Sequence, residues 1–381
     1  MPGRIDLGPL AQPVRRSMCG ERAGEAGTML PPFIDHHVHL MIIGPDALRE
    51  TALAGVVDLG GPLDSISTYA RRSGVPRVAF AGSFLTAPGG YPVGRPWAAP
   101  GSAREIGAER SDARAALPTA AETAVAEQLA FGASVIKVAL NSAAGPVFDA
   151  ATLGSIVAAA HESGVPVVAH VEGDGMSRLA IDAGVDAFAH TPFTERLDDA
   201  VIARAVAAGQ RWISTLFVAG YGEQTPEARI AVDNLARFHA AGGRVLYGTD
   251  LGNGDQPLGV NLAELALLLD AGLSPAALIE ALTDPWPART RHSTPDSLDR
   301  APFSSRSDAL AASPGDEHGG WASSAGSAVA TFVPGDAPAD VAELPGWLAA
   351  AALSPIEDLE PHDDGRSPDR TLIRTDDLES R

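Results

Sequence analysis

The stretch "PPFIDHHVHL", residues 31–40, sets an acid and three histidines at the end of an apolar run, in a chain with ten histidines among 381 residues. The run reads as a buried strand, because turn residues lead into apolar, aromatic and β-branched side chains. Histidine is costly to bury without a partner, so the cluster needs either a satisfied core setting or a bound cation. His37 and His39 are spaced i, i+2, which places both on one face of a strand and lets them grip one ion. His36 alternates to the opposite face and reads as a neighbour of the surrounding helices.

Outward from this stretch, short β-branched runs alternate with Ala/Leu-rich runs of helical spacing, the pattern of βαβ units around a parallel sheet. Strands are expected at 33–38, 55–59, 77–82, 134–139, 166–170, 186–190, 212–216 and 244–250. Helices are expected between them, with Gly164 and Gly242 placed just past two helix ends, where glycine relieves the left-handed turn. Eight such units over roughly 255 residues fit a (β/α)₈ TIM-like barrel, which takes about 250. An open doubly wound sheet is the alternative, but no glycine-rich turn follows the first strand.

Barrel enzymes carry their chemistry at the C-terminal ends of the strands. Under that rule strand one delivers His37 and His39, strand four Lys137, strand five His170, strand six His190 and strand eight Asp250. Four imidazoles, a carboxylate and an amine then meet at one rim, a donor set suited to Zn²⁺ and related divalent ions. Each residue alone has a plainer reading; Lys137, for example, could pair with an acid. His161 and His239 read as surface residues of helices, and His292, His318 and His362 fall in irregular C-terminal sequence.

Composition narrows the function classes. Hydrophobic residues make up 45% and charged residues 20%, as in a globular protein, and aromatics only 5%, so the core should be built of small aliphatic side chains. The net charge of −20 and the pI near 4.8 argue against nucleic acid or an anionic membrane as a partner. One cysteine, Cys19, rules out an internal disulfide, and no run approaches the roughly 18 apolar residues of a membrane span. The N-terminal sequence lacks a continuous apolar segment of the signal-peptide kind, so a cytoplasmic location is expected.

The motifs resemble those of the amidohydrolase superfamily. "FIDHHVHL" looks like its strand-one pattern, and "SVIKVAL", "VPVVAH", "VDAFAH" and "VLYGTDLG" are similar to its later metal-binding strands. The likeness spans roughly residues 28–285 and is strongest to the imidazolonepropionase-like and Xaa-Pro-dipeptidase-like branch. It implies that His37, His39 and Asp250 bind one metal and that His170 and His190 bind a second. It implies further that Lys137 is carboxylated by CO₂ to a carbamate bridging two divalent ions, Zn²⁺ first among the candidates. Two such ions would generate hydroxide near neutral pH and polarise a carbonyl, with Asp250 carrying the proton to the departing amine. The expected reaction is hydrolysis of an amide, a peptide or a cyclic amide.

Such proteins usually add a small β-sandwich built from both chain ends. Residues 1–29 supply few clear strands, and after residue 285 the chain reads "DPWPARTRHSTPDS" where a helix would normally follow. The expected division is therefore 1–29 as part of a reduced sandwich, 30–285 as the barrel and 286–381 as an atypical, partly irregular region. Residues 83–117 form a long Pro/Gly/Arg-rich connection of the length usually reserved for function or disorder.

Tyr91, Arg95, Trp97, Arg196 and Tyr221, all in loops after strands, are the candidates to contact a small-molecule substrate, an arginine suiting a carboxylate. A homo-oligomer is compatible with the chain. Two other readings stay open: a mononuclear deaminase or cyclic-imidate hydrolase with Lys137 unmodified, and a catalytically silent barrel that binds a small molecule or a partner.

Overall fold

The computed structural model describes residues 5–19, 22–74, 76–107, 118–287 and 328–362. Its parallel strands are Phe33–Val38, Leu53–Asp58, Arg77–Phe80, Ile136–Asn141, Val167–Glu172, Ala187–Phe188, Arg211–Ile213 and Arg244–Leu246, numbered one to eight below. Strands one to three pair in one run, and strands four to eight pair in a second. Two seams join the runs. At one, Ser134 N donates to Phe80 O over 3.0 Å; at the other, Val38 bridges Leu251 and His36 N donates to Tyr247 O over 3.0 Å. The result is the expected eight-stranded TIM-like barrel.

The side chains sort as a barrel requires. Ile34, Ala54, Val57, Val135, Val168 and Ile213 pack with one another inside, a filling of small aliphatic groups. Phe33, Val56, Ile136, Ala169 and Trp212 face outward into a second cluster against the helices. Trp212 stacks on Phe238 of the helix Pro226–Ala240 at 3.9 Å between ring centres, the tightest aromatic contact in this outer layer. Gly164 and Gly242 follow the helices Ala150–Glu162 and Pro226–Ala240 with positive φ, as their placement predicts.

Both chain ends build one five-stranded antiparallel sheet. Gln12–Arg16 and Ala26–Leu30 pair with each other; Val329–Pro334 joins the second of them and Leu359–Pro361 the first, while Ala352–Pro355 lies outside Val329–Pro334. This is the reduced form of the expected sandwich. The two N-terminal strands are clearer than the sequence suggests, because the partners that define them lie about 300 residues away. Val329 and Trp286 pack with the interior residues of the barrel, and Thr331 Oγ1 accepts from Phe33 N at the start of strand one. The sheet thus closes the end of the barrel opposite the histidines.

The described part of the connection, residues 83–107, is more regular than its composition suggests. Phe84–Thr86 pairs with strand four through Leu85 and Val138, and Ala103–Glu105 pairs alongside it. His292 and His318 lie outside the described residues.

Candidate metal centre

Lys137, His170 and Glu172 follow the alternation of their strands and point into the barrel, in step with the interior residues Val135 and Val168. His37 does not follow simply. Ile34 is interior, so strict alternation would send His37 outward, but the pairing register with strand two shifts between Asp35 and Val38. An irregularity of this kind re-aims side chains beside active sites. His190 lies beyond the last paired residue of strand six, where the chain bends and turns it over the mouth.

All six candidate ligands therefore gather at one rim, and all are buried. His37 Nε2 and His39 Nε2 each stand 3.1 Å from Asp250 Oδ1. Ring centres are 5.1 Å apart for His37 and His39, 4.7 Å for His37 and His190, and 5.0 Å for His170 and His190. One donor atom from each of His37, His190 and Asp250 falls within 4.8 Å of the others.

The outer nitrogens are already committed. His37 Nδ1 lies 2.8 Å from Ala189 O and His39 Nδ1 lies 3.1 Å from Gly60 O, so each donates there and keeps a lone pair on Nε2. His190 Nδ1 lies 2.9 Å from Thr215 Oγ1. His170 differs: its Nε2 is the engaged nitrogen, 3.1 Å from Glu172 Oε2, with Asn141 Nδ2 at 3.4 Å, leaving Nδ1 for a ligand.

The electrostatics of the cluster would suit a cation. Burial holds His37 and His190 well below the usual imidazole range, against the pull of Asp250. Burial would raise Asp250, but the imidazoles of His37, His39 and His190 hold its carboxyl well below the usual range. Burial pushes Lys137 down to about 7, opposed by Asp250 and Asp58, so near neutral pH much of it is the neutral, nucleophilic amine. Among the described residues His37 Nε2, Asp250 Oδ1 and Lys137 Nζ have no hydrogen-bond partner. The 3.1 Å approach of His37 to Asp250 is thus a contact out of line for hydrogen bonding. Of these orphaned buried atoms, the imidazole nitrogen and the carboxylate oxygen are donor types that fit a divalent cation.

Thr215, Tyr221 and Asp250 have left-handed backbone, with φ of 42°, 48° and 57°; of these the β-branched Thr215 is the one that rarely enters that region.

The substrate candidates divide. Tyr91 stacks on His170 with ring centres 5.0 Å apart, and with Phe84 and Trp97 it makes an aromatic wall beside the candidate ligands. The Arg95 guanidinium lies 5.8 Å from the Tyr91 ring centre. Tyr221 is half exposed and donates to Asn253 Oδ1, whose amide in turn donates to Asp250 Oδ2. Arg196 is drawn away, in an ion pair at 2.9 Å with Asp233 on the outer helix Pro226–Ala240. Sequence reasoning missed Asn141, Glu172 and Thr215. The first two stand on the interior faces of strands four and five, in step with Lys137 and His170, and that phase could have flagged them; no sequence signal marks Thr215.

Residues 28–284 match the amidohydrolase family. The chain belongs to that family. As an amidohydrolase it is a hydrolytic enzyme, and its family typically uses divalent metals. It is similar in fold to a solved Xaa-Pro dipeptidase with bound methionine in the active site, with TM-score 0.58 and 17% identity over 88% of this chain and 87% of that one. A solved molinate hydrolase gives TM-score 0.54 and 15% identity over 87% and 83%. The ochratoxinase of A. niger gives 0.51 and 20% over 67% and 70%. These likenesses establish the fold of the amidohydrolase. No curated protein sequence matches the chain. No helix among the described residues is long and apolar enough to cross a membrane.

Proposed function

We propose that this amidohydrolase cleaves the C–N bond of an amide, a dipeptide or a cyclic amide in a small-molecule substrate, using two divalent cations, with Zn²⁺ the first candidate. The observation that carries the reading is the trio of buried, unpartnered atoms at one rim, His37 Nε2, Asp250 Oδ1 and Lys137 Nζ. His37, His39 and Asp250 would hold one cation, His170 and His190 the other, and a carbamate on Lys137 would bridge them. When bound, the cations would supply the acidity that deprotonates water and the polarisation of the scissile carbonyl.

The residues themselves do the rest. Asp250, fixed by Asn253 at 2.8 Å, accepts the proton from the attacking water and delivers it to the departing nitrogen. Phe84, Tyr91 and Trp97 exclude bulk water from that side of the mouth. Arg95 and Tyr221 contact the substrate, Arg95 suiting a carboxylate on it. The catalytic domain is residues 30–285, and the enzyme works in the cytoplasm.

A single-cation reading draws support from the way that, among the described residues, only His37, His190 and Asp250 bring donor atoms within 4.8 Å of one another. Elemental analysis of protein purified without chelators or a metal-affinity tag decides between the two. Two equivalents per chain, with turnover on a panel of amides, dipeptides and lactams, support the binuclear hydrolase. One equivalent moves the search to deaminase and cyclic-imidate substrates, and none overturns both.

A further inference from the structure

Glu264 is wholly buried in the first turn of the helix Leu262–Asp270, on the outer side of the barrel. Among the described residues it meets no cation. Its two oxygens instead accept from consecutive backbone amides, Leu216 N at 2.9 Å and Phe217 N at 2.7 Å, and the side chain of Ser214, on the other side of Thr215, is a further partner. A buried acid spent on one short backbone segment is an expensive anchor. The residue directly before the clamped pair is Thr215, held at φ 42°, and Thr215 Oγ1 lies 2.9 Å from His190 Nδ1. Strain of that kind persists only where the surroundings over-determine it. The same helix start also reaches Asp250, a second left-handed residue: Asn261 Nδ2 donates to Gln256 Oε1, and Gln256 Nε2 donates to Asp250 O.

We propose that Glu264 is a positioning residue for the metal centre, clamping the backbone after strand seven so that Thr215 stays in its left-handed turn and fixes the ring of His190. With Nδ1–H donated to Thr215, His190 keeps its lone pair on Nε2, the nitrogen left to face the other donors. The inference rests on the metal-centre reading, and no contact between Glu264 and substrate or cation is involved.

The test compares wild type, Glu264→Gln, Thr215→Val and the double variant. Each is stripped, reloaded with Zn²⁺ and titrated against a chromogenic chelator, and the ring ¹⁵N resonances of His190 are recorded in the metal-free proteins. Glu264→Gln keeps the volume but presents an NH₂ to one of the two amides. It should weaken Zn²⁺ binding by about ten- to a hundredfold, and the double variant should be no weaker than the worse single one. In metal-free Glu264→Gln the His190 ring should pass from one tautomer to a mixture, while the resonances of His36 in the outer wall stay put. Unmoved His190 resonances, or losses that multiply in the double variant, overturn the proposal. Absence of Zn²⁺ binding in wild type, with the His190 shift still present, would sink the metal reading and leave the Glu264 link standing. If Glu264→Gln fails to fold, Glu264→Asp, which keeps the charge but shortens the reach, must give the same ring shift.

Discussion

His37 Nε2 and Asp250 Oδ1 stand 3.1 Å apart across the seam between the first and last strands of the barrel, in contact but not hydrogen-bonded. A neutral imidazole and a carboxylate in that pose share nothing unless a cation lies between them. Asp250→Asn keeps the shape and removes the charge. It should cut kcat/KM by roughly 10²- to 10³-fold or more, the scale set by losing a single preorganised hydrogen bond to a reacting centre, and lower the bound metal measured by elemental analysis.

Lys137 Nζ has no hydrogen-bond partner among the described residues, and burial brings its pKa to about 7. Metal-stripped protein should reload faster and more fully with bicarbonate present than in CO₂-free buffer. Lys137→Ala should lose that dependence and bind fewer than two equivalents. A loss of several kcal/mol of transition-state stabilisation corresponds to at least about 10²-fold in kcat. Full metal content and activity in the variant would refute the bridging carbamate.

Arg95 lies beside Tyr91, which covers His170. Arg95→Ala should raise KM for substrates with a free carboxylate about tenfold and leave kcat, and the KM of uncharged amides, nearly unchanged. Steady-state kinetics on a matched acid and amide pair would show it.

Burial raises Glu264 from 4.5 to about 7. The folded chain therefore holds that proton more tightly than the unfolded chain. The stability it gives is complete below about 4.5 and is lost as pH rises through about 7. Thermal midpoints of chelator-treated protein should fall between pH 5 and pH 8, and the fall should be smaller in Glu264→Gln, which has no proton to lose.

The barrel was legible because alternation and helical spacing are local properties, and Lys137 and His170 obey them. His37 and His39 were legible as a pair, but the register shift that turns them inward depends on strand two. His190 needed the bend after Phe188, and Thr215 needed a left-handed backbone that nothing nearby demands. The terminal sheet was faint for a related reason: pairing between Val14 and Pro361 leaves no trace in either segment alone. The aromatic wall was hidden in a Pro/Gly-rich connection, whose composition signals irregularity even where Phe84–Thr86 joins the sheet.

The terminal sheet also constrains how the molecule is made. Gln12–Arg16 leaves the ribosome well over 300 residues before its outer neighbour Leu359–Pro361. Until then it presents an open strand edge, a template for wrong pairing, while the barrel between the two is already complete enough to collapse. Because so distant a closure is slow, shortening either end should trap nascent chains in self-association well before it touches the metal ligands.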